Sequence, residues 1–298
     1  HAATLDPARN RVLVSGGWDG RFQNDVWQLA LDDLPAWSLV KTEGLGPSPR
    51  ASHTAVLVPE MNGLVVFGGA NCPIPNTCAH QSNDVWLLSL AGQPRWIDLT
   101  PRIAGPRPCG IQAHAAVFDA AHSSMIVIGG YAEYPYAEPC GGVTCEAWSL
   151  SFGTMRWTQV ARGLEQPRAR RYASAVLDGE RGRLLVYGGT GGAPFADVWA
   201  LGLDGAPAWS QVCPTQGIPP YASSGYWSAP SRLLLSYDHH LDRIVTYRGQ
   251  QVWSYSFRDH EGWSPVAVVG ETPSPRFEAA AIYDPVRNRV VLHGGWTP

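Results

Sequence analysis

The sequence predicts an all-β protein built from one repeated unit. The segment from Asp6 to Gly17 recurs near the other end of the chain, from Asp284 to Gly295. Four more copies lie between them and end in similar short runs: Val66–Gly69, Val127–Gly130, Val186–Gly189 and Thr246–Gly249. The last of these is degenerate, because Arg248 replaces the first glycine of the pair. Self-similarity of this kind is the signature of a repeat architecture.

The spacing inside each copy predicts a β-hairpin of fixed register. In all six copies the first residue of the Gly-Gly pair, or its equivalent, lies ten residues after a turn position. Those turn positions are Asp6, Val58, Asp119, Asp178, Asp238 and Asp284. Because this interval is constant while the distance between copies varies, the two strands that it joins must pair in a single register.

Two further strands are predicted after each hairpin, and each carries a tryptophan. The third strands end at Trp27, Trp86, Trp148, Trp199 and Trp253, and the fourth strands begin near Trp37, Trp96, Trp157, Trp209 and Trp263. These positions account for ten of the 13 tryptophans. Large aromatic residues at a fixed place in every sheet indicate packing between neighbouring sheets.

These motifs, in this order along the whole chain, resemble the kelch β-propeller family. The resemblance implies a single all-β propeller domain of six blades. Five four-stranded blades are expected at about 1–49, 50–110, 111–169, 170–229 and 230–275, and a partial sixth at 276–298. The sixth copy stops before its third and fourth strands. Either the last blade is two-stranded, or further domains of a longer chain complete it.

Composition excludes several classes of protein. The 298 residues carry a net charge of −3, whereas nucleic-acid-binding and membrane-surface proteins normally show a basic stripe. No apolar run of 18 residues is present that would insert into a membrane. We therefore expect neither a nucleic-acid partner nor membrane insertion. The chain begins at His1 without a methionine, so the absence of an export signal carries no information.

The six cysteines indicate an oxidising compartment. The close pairs Cys72/Cys78 and Cys140/Cys145 lie in Gly/Pro-rich segments and are predicted to form small-loop disulfides, because they lack the spacing of zinc ligands. Cys109 and Cys213 are either a third bridge or free thiols. An extracellular or periplasmic location follows from this interpretation.

The resemblance implies that the loops after the second and fourth strands share one rim. The irregular segments 18–24, 70–82, 131–144 and 190–196 would lie there, so we expect the binding site on that rim. The segments that lead into the first strands carry Arg50, Arg170 and Arg276 at equivalent positions. Guanidinium groups suit carboxylate, sulfate or phosphate ligands. The alternative is that each arginine pairs with a carbonyl or acid of its own blade.

Aromatic residues outside the packing positions are further candidates for ligand binding. Trp18, Tyr131, Tyr134, Tyr226 and Trp227 belong to the expected rim, and Glu278 lies beside Arg276. The alternative for Trp18 is that it packs within the repeat and does not bind a ligand. His1, His53 and His114 occupy equivalent positions, but atoms related by blades diverge around an axis instead of meeting at one ion. No metal site and no cofactor are predicted.

The predicted function is a non-catalytic module that binds a glycan or an extracellular polypeptide on this rim. The alternative is an epimerase- or mutarotase-like enzyme acting on an acidic sugar, with the three arginines holding the acid and Glu278 carrying a proton. A galactose oxidase-like copper site would need Cys109 or Cys213 beside Tyr172 or Tyr226, and is less well matched. No Ser-His-Asp signature, P-loop or nucleotide fingerprint is found, and no catalytic residue is assigned.

Overall fold

The structure is a computed structural model that describes residues 1–71, 80–132, 142–160, 165–213, 234–248, 251–258, 262–274 and 279–295. Its regular elements in this part of the chain are β-strands and three short 3-10 turns, at Pro7–Arg9, Pro59–Met61 and Thr100–Arg102. The all-β prediction is confirmed. Within the same residues, no helix has the length and apolar character needed to cross a membrane.

The chain divides into two compact units, of which the first is His1–Val160. Its strands are β1 (Ala2–Asp6), β2 (Arg11–Trp18), β3 (Phe22–Ala30), β4 (Trp37–Leu39), β5 (Arg50–Ala51), β6 (Thr54–Val58), β7 (Gly63–Phe67), β8 (Ala70–Asn71), β9 (His80–Gln81), β10 (Val85–Ser89), β11 (Arg95–Asp98), β12 (Ala115–Asp119), β13 (Ser124–Ile128), β14 (Tyr131–Ala132), β15 (Gly142–Val143), β16 (Ala147–Ser151) and β17 (Arg156–Val160). Three four-stranded antiparallel sheets have the orders β1-β2-β3-β4, β6-β7-β10-β11 and β12-β13-β16-β17. We call them sheets 1, 2 and 3. Two small ladders, β5-β8-β9 and β14-β15, accompany sheets 2 and 3.

The second unit is Ala161–Pro298. Its strands are β18 (Ser174–Asp178), β19 (Arg183–Tyr187), β20 (Val198–Gly202), β21 (Trp209–Cys213), β22 (Leu234–Asp238), β23 (Arg243–Arg248), β24 (Gln251–Ser256), β25 (Gly262–Val266), β26 (Ala280–Asp284) and β27 (Arg289–His293). They form the four-stranded sheets β18-β19-β20-β21 and β22-β23-β24-β25, and the two-stranded sheet β26-β27.

In sheet 1, the turn between the first two strands explains the ten-residue interval. In sheet 1, Asp6 is paired with Arg11 and Ala2 with Ser15, so the turn position and the glycine pair lie at opposite ends of one hairpin. The carboxylate of Asp6 accepts hydrogen bonds from Arg9 and Arg11 and is fully buried. Asn10 closes the turn with a left-handed φ of 49°. The turn is therefore fixed by its own side chains, and the register follows from it.

The Gly-Gly pair is required by backbone conformation and by close packing. Gly68 and Gly69 have φ values of 65° and 95°, a backbone conformation that residues with a side chain rarely adopt. A Cβ atom on Gly69 would also lie 2.8 Å from the carbonyl oxygen of Ala51 and 2.7 Å from Cβ of His53. The glycines thus allow the lead-in of a sheet to pass close to the end of its second strand.

Replacing Gly69 by alanine is expected to lower the free energy of unfolding by about 3 kcal/mol, because backbone strain adds to a clash with backbone atoms. Gly92 provides the matched control, since its φ is 72° and a Cβ atom there meets nothing within 4 Å. Gly92→Ala should lose only the strain, about 1–2 kcal/mol. Urea denaturation of both variants measures the difference, and equal losses would mean that the close approach at Gly69 has no energetic role.

The hydrophobic core of the first unit lies between adjacent sheets. Val56, Phe67 and Val85 of sheet 2 pack with Met125 and Trp157 of sheet 3 in one buried cluster. A second cluster joins sheet 1 to sheet 2 and contains Leu13, Val26, Val40, Leu64, Val66, Leu88, Leu90 and Trp96. The fourth-strand tryptophans Trp96 and Trp157 therefore fill the space between sheets, as their regular spacing predicts, whereas Trp37 of sheet 1 is 44% exposed.

Candidate interaction rim

In the first unit, the segments at the Gly-Gly ends of the sheets form one hydrogen-bonded surface. We call it the glycine rim; it contains residues 16–24, 47–52, 69–71, 80–83, 108–112, 131–132 and 142–144. The lead-in to sheet 2 bonds to the first hairpin through Asn24 Nδ2 and the carbonyl of Pro47, 3.5 Å apart. Gly69 N donates to the carbonyl of Ile111 at 2.8 Å, which connects sheet 2 with the lead-in to sheet 3.

The ends of two long insertions are ordered as ladders on this rim. Asn71 pairs with His80, and Tyr131 pairs with Val143. Tyr131 also exchanges two backbone hydrogen bonds with Gln112, of 2.9 and 3.0 Å. The expectation that these insertions are irregular throughout is therefore wrong at their bases.

Trp18 is held at the tip of a β-hairpin, where the sequence predicted an irregular segment. β2 continues through Trp18, and β3 begins at Phe22, directly opposite it. The two rings meet edge to face with centroids 4.9 Å apart, and 62% of Trp18 is exposed. Asp19 accepts a hydrogen bond of 2.6 Å from Gln23 Nε2, and this bond holds the pKa of Asp19 below its usual value. Trp18 is thus a large aromatic surface on a supported hairpin.

Arg50 lies in the interior, only 1% exposed, and not at the surface of the rim. Its guanidinium donates to both carboxylate oxygens of Asp84, at 2.6 and 2.8 Å. Three further hydrogen bonds reach the carbonyl of Gly68 and the carbonyl and hydroxyl of Ser48. These five bonds use the whole hydrogen-bonding capacity of the group.

Arg170 has the same arrangement in the second unit. It is fully buried and donates to Asp197 at 2.7 and 2.9 Å, to the carbonyl of Gly188 at 2.8 Å and to that of Arg168 at 3.0 Å. Its guanidinium carbon also lies 4.6 Å from the centre of the Phe195 ring. For Arg50 and Arg170 this geometry favours the alternative in which the arginine clamps its own sheet.

The charges of these clamps are mutually stabilised. Burial alone would raise the pKa of Asp84, but the hydrogen bonds and positive charge of Arg50 outweigh it and lower that pKa. Burial would likewise raise the pKa of Asp197, but the hydrogen bonds and positive charge of Arg170 outweigh it, so this pKa is also lowered. Both carboxylates are therefore ionised at neutral pH and bind their arginine as ion pairs.

Several predicted site residues lie outside the described residues: Arg276, Tyr134, Tyr226, Trp227, Glu278, Cys72, Cys78 and Cys140. Their roles stay predictions, and so does the small-loop disulfide Cys72/Cys78. Cys109 is disulfide-bonded, which excludes a free thiol there. It is half-buried and packs against the cluster between sheets 2 and 3.

The structure does not support the disulfide that the sequence predicted at Cys145. This residue is half-buried, and it forms no disulfide with any residue in the part of the chain that the structure describes. A small disulfide loop requires the chain to turn back between its two cysteines. Instead, residues 142–143 are extended as β15, and Thr144 N donates to the carbonyl of Gly130 at 3.0 Å. The approach to Cys145 is thus a strand ladder.

The equivalent histidines contact hydroxyl groups. His53 Nε2 lies 3.0 Å from Ser15 Oγ, and His114 Nε2 lies 2.7 Å from Thr54 Oγ1. Both imidazoles are buried. Each joins its own lead-in to the preceding sheet, and among the described residues no group of three His, Cys, Asp or Glu side chains could hold a metal ion.

The turns at the opposite ends of the strands contain a charged network that was not predicted from the sequence. In the second unit, Arg181 binds both oxygens of Asp242, at 2.9 and 2.6 Å, and Tyr237 donates to Asp242 at 2.5 Å. The hydrogen bond from Arg181 lowers the pKa of Asp242, whereas burial raises the pKa of Tyr237. An arginine three and five residues after the turn aspartate, as in Asp178-Arg181-Arg183, is the signal that could have revealed such clamps.

Comparison with protein families agrees with the sheet arrangement. Residues 1–230 match the model described as the KLHDC2/KLHL20/DRC7 Kelch-repeats domain. The chain belongs to the kelch-repeat family. The solved structure of YjhT superimposes with a TM-score of 0.71 at 13% sequence identity, covering 99% of this chain and 90% of that one. The fold is a kelch-type β-propeller, as the motifs predicted.

Curated relatives with kelch sequence similarity are much longer proteins. Host cell factor homolog hcf-1 of Caenorhabditis elegans is 29% identical over 196 residues, covering 60% of this chain and 24% of the relative. Host cell factor 2 of Homo sapiens is 29% identical over 220 residues, covering 64% and 26%. Dynein regulatory complex subunit 7 of Chlamydomonas reinhardtii is 31% identical over 132 residues, covering 43% and 10%. The kelch chain thus spans about a quarter or less of these proteins.

Proposed function

We propose that this kelch domain is a non-catalytic interaction module that binds a polypeptide through the glycine rim of its first unit. The observation that carries this proposal is Trp18, a largely exposed indole on a hairpin tip that is braced by Phe22 and by the Asp19–Gln23 hydrogen bond. Tryptophan is enriched among residues that dominate binding energy, and a side chain held in place before binding loses little entropy on association.

The described arginines weaken the case for an enzyme that acts on an acidic sugar. That alternative needs guanidinium donors that face a ligand, whereas Arg50 and Arg170 direct theirs at Asp84 and Asp197. The names of the relatives favour a polypeptide partner, since Dynein regulatory complex subunit 7 is by name part of an assembly. Family membership supports an interaction role by analogy of fold.

We further propose that the domain functions in an oxidising compartment, either extracellular or periplasmic. The disulfide at Cys109 supports this location, because such bonds are rare in reducing compartments. The predicted pair Cys72/Cys78 would add to it.

Replacing Trp18 by alanine is expected to weaken polypeptide binding by at least about tenfold, because the anchor is removed. Peptides selected from a phage-displayed library against the parent domain would be titrated calorimetrically into the parent, Trp18→Ala and Leu34→Ala. Leu34 is the control because it is 87% exposed but lies in the turn between β3 and β4. Equal affinities for all three proteins, or binding on a glycan array without peptide binding, would refute the proposal.

A further inference from the structure

Three arginines lie together at the outer edge of sheet 3, where β17 is the last strand. Arg102 and Arg107 belong to the segment between β11 and β12, and Arg156 is the first residue of β17. All three side chains are exposed, and within the described residues none of them forms an ion pair. Arg50 of the same unit, in contrast, is paired with Asp84. We call Arg102, Arg107 and Arg156 the arginine edge.

The segment that carries the first two of these arginines runs alongside β17. Ala104 is bridged in parallel to Arg156, and its backbone N donates to the carbonyl of Met155 at 3.2 Å. Gly105 then contacts the side chain of Arg156, because a Cβ atom on Gly105 would lie 3.4 Å from Nη2 of that arginine. The guanidinium of Arg156 therefore crosses the segment between the positions of the other two arginines.

The equivalent edge of sheet 2 carries an acidic residue that sheet 3 lacks. There the segment before the sheet is bridged in parallel at Glu43 to Arg95, the first residue of β11. Ala104 takes the place of Glu43 at sheet 3. The carboxylate that accompanies the strand-initial arginine in sheet 2 is thus replaced by a methyl group in sheet 3.

The acidic residue nearest to Arg102 along the chain does not neutralise the arginine edge. Asp98 precedes Arg102 by four residues, and its carboxylate accepts a hydrogen bond of 2.9 Å from Thr100 N. Asp98 and Trp96 are two residues apart in β11, so their side chains share one side of that strand. Trp96 packs in the cluster that joins sheet 2 to sheet 1. Asp98 therefore projects toward sheet 1 and away from sheet 3.

The chemistry of this edge suits carboxylate groups on a polypeptide. Neighbouring guanidinium groups raise the local potential and attract anions, in a protein whose net charge is −3. Each guanidinium presents parallel N–H donors that match the two oxygens of a carboxylate. Trp157, the aromatic residue next to Arg156, is only 3% exposed, so a sugar ring has no aromatic face there on which to stack. These features favour an acidic polypeptide over a sulfated glycan.

We propose that the arginine edge binds an acidic segment of a partner polypeptide, in which several Asp or Glu side chains lie close together in sequence. Their carboxylates accept hydrogen bonds from the three exposed guanidinium groups. Because these charges are exposed, binding weakens as the salt concentration rises. The contact is separate from Trp18 on the glycine rim and does not rest on the function proposed for that rim.

The test uses a fluorescein-labelled hexaglutamate peptide, titrated into the parent domain at low salt and followed by anisotropy. The triple variant Arg102→Ala/Arg107→Ala/Arg156→Ala should bind it at least about tenfold more weakly, since each exposed ion pair contributes about two- to fivefold. Arg95→Ala is the matched control, because Arg95 occupies the place of Arg156 in sheet 2 and is also exposed. It should change the affinity by less than about twofold. Circular dichroism verifies that both variants fold, and a hexaglutamine peptide should not bind.

Three results would overturn the proposal. The first is no binding of hexaglutamate to the parent at millimolar concentration. The second is equal binding by the parent and the triple variant, or an equal loss in the triple variant and in Arg95→Ala. The third is a sulfated oligosaccharide that binds the parent more tightly than hexaglutamate and is lost in the triple variant, because the ligand would then be a glycan. Trp18→Ala should bind hexaglutamate as the parent does, so this test and that of the glycine rim can fail separately.

Discussion

Replacing Asp197 by asparagine is expected to lower the free energy of unfolding by about 3–5 kcal/mol. The variant leaves the guanidinium of Arg170 buried without its counter-charge, and a buried cation without a partner is far more costly than the ion pair itself. Urea denaturation at neutral pH followed by circular dichroism measures this loss.

The dependence on pH provides a second readout for the same pair. The pKa of Asp197 is lower in the folded protein than in the unfolded chain, so its ionisation stabilises the fold above the unfolded pKa of about 4. This contribution is lost as the pH falls through the folded value. The difference in stability between parent and Asp197→Asn should therefore be constant near neutral pH and shrink below about pH 4.

Asp25 provides the control, because it is the equivalent residue of sheet 1 and its carboxylate accepts a hydrogen bond from Trp27 Nε1, as that of Asp197 does from Trp199. Asp25→Asn should cost no more than about 1 kcal/mol. If Asp25→Asn and Asp197→Asn lose similar amounts, the arginine clamp has no special role.

The elements that sequence predicts well are those in which the partners are close along the chain. The first hairpin of sheet 1 is an example, since Asp6, Arg9 and Arg11 bond within six residues and fix both turn and register. The fourth strands are predicted for the same reason, because each carries a tryptophan nine or ten residues after that of the third strand. Local hydrogen bonding and regular burial leave a periodic trace in the sequence.

The role of the arginines could not be predicted with the same certainty, because their partners are far away along the chain. Arg50 lies 34 residues before Asp84, and Arg170 lies 27 residues before Asp197, so insertions of variable length hide the pairing. One signal was present. In the fifth copy, Pro230 replaces the arginine and Gln251 replaces the aspartate, so the positive and the negative charge are both absent from that copy.

The sequence predicted that Trp18 lies on the rim, but not that it lies at the tip of a β-hairpin. The segment after Gly17 was expected to be irregular, whereas Trp18 and Phe22 extend β2 and β3 around the residues Asp19-Gly20-Arg21. An Asp-Gly pair between strand-forming residues is a strong hairpin signal, and it could have revealed this turn.

Replacing Trp157 by alanine should lower the free energy of unfolding by about 3–5 kcal/mol, which is typical of a large aromatic removed from a core. Trp157 is 3% exposed and its ring lies 5.1 Å from that of Phe67 in the adjacent sheet, so the substitution leaves a cavity between sheets 2 and 3. Because those sheets pack through the same cluster, neighbouring side chains can collapse only partly into that space.

Trp37→Ala is the matched variant, since it removes the same side chain from the same position of the repeat. With 44% of Trp37 already exposed, the loss should not exceed about 1–2 kcal/mol. The comparison isolates the effect of burial, because residue type and place in the sheet are unchanged. Equal losses for Trp157→Ala and Trp37→Ala would contradict this expectation, because they would show that the indole of Trp37 contributes as much to stability as the buried indole of Trp157.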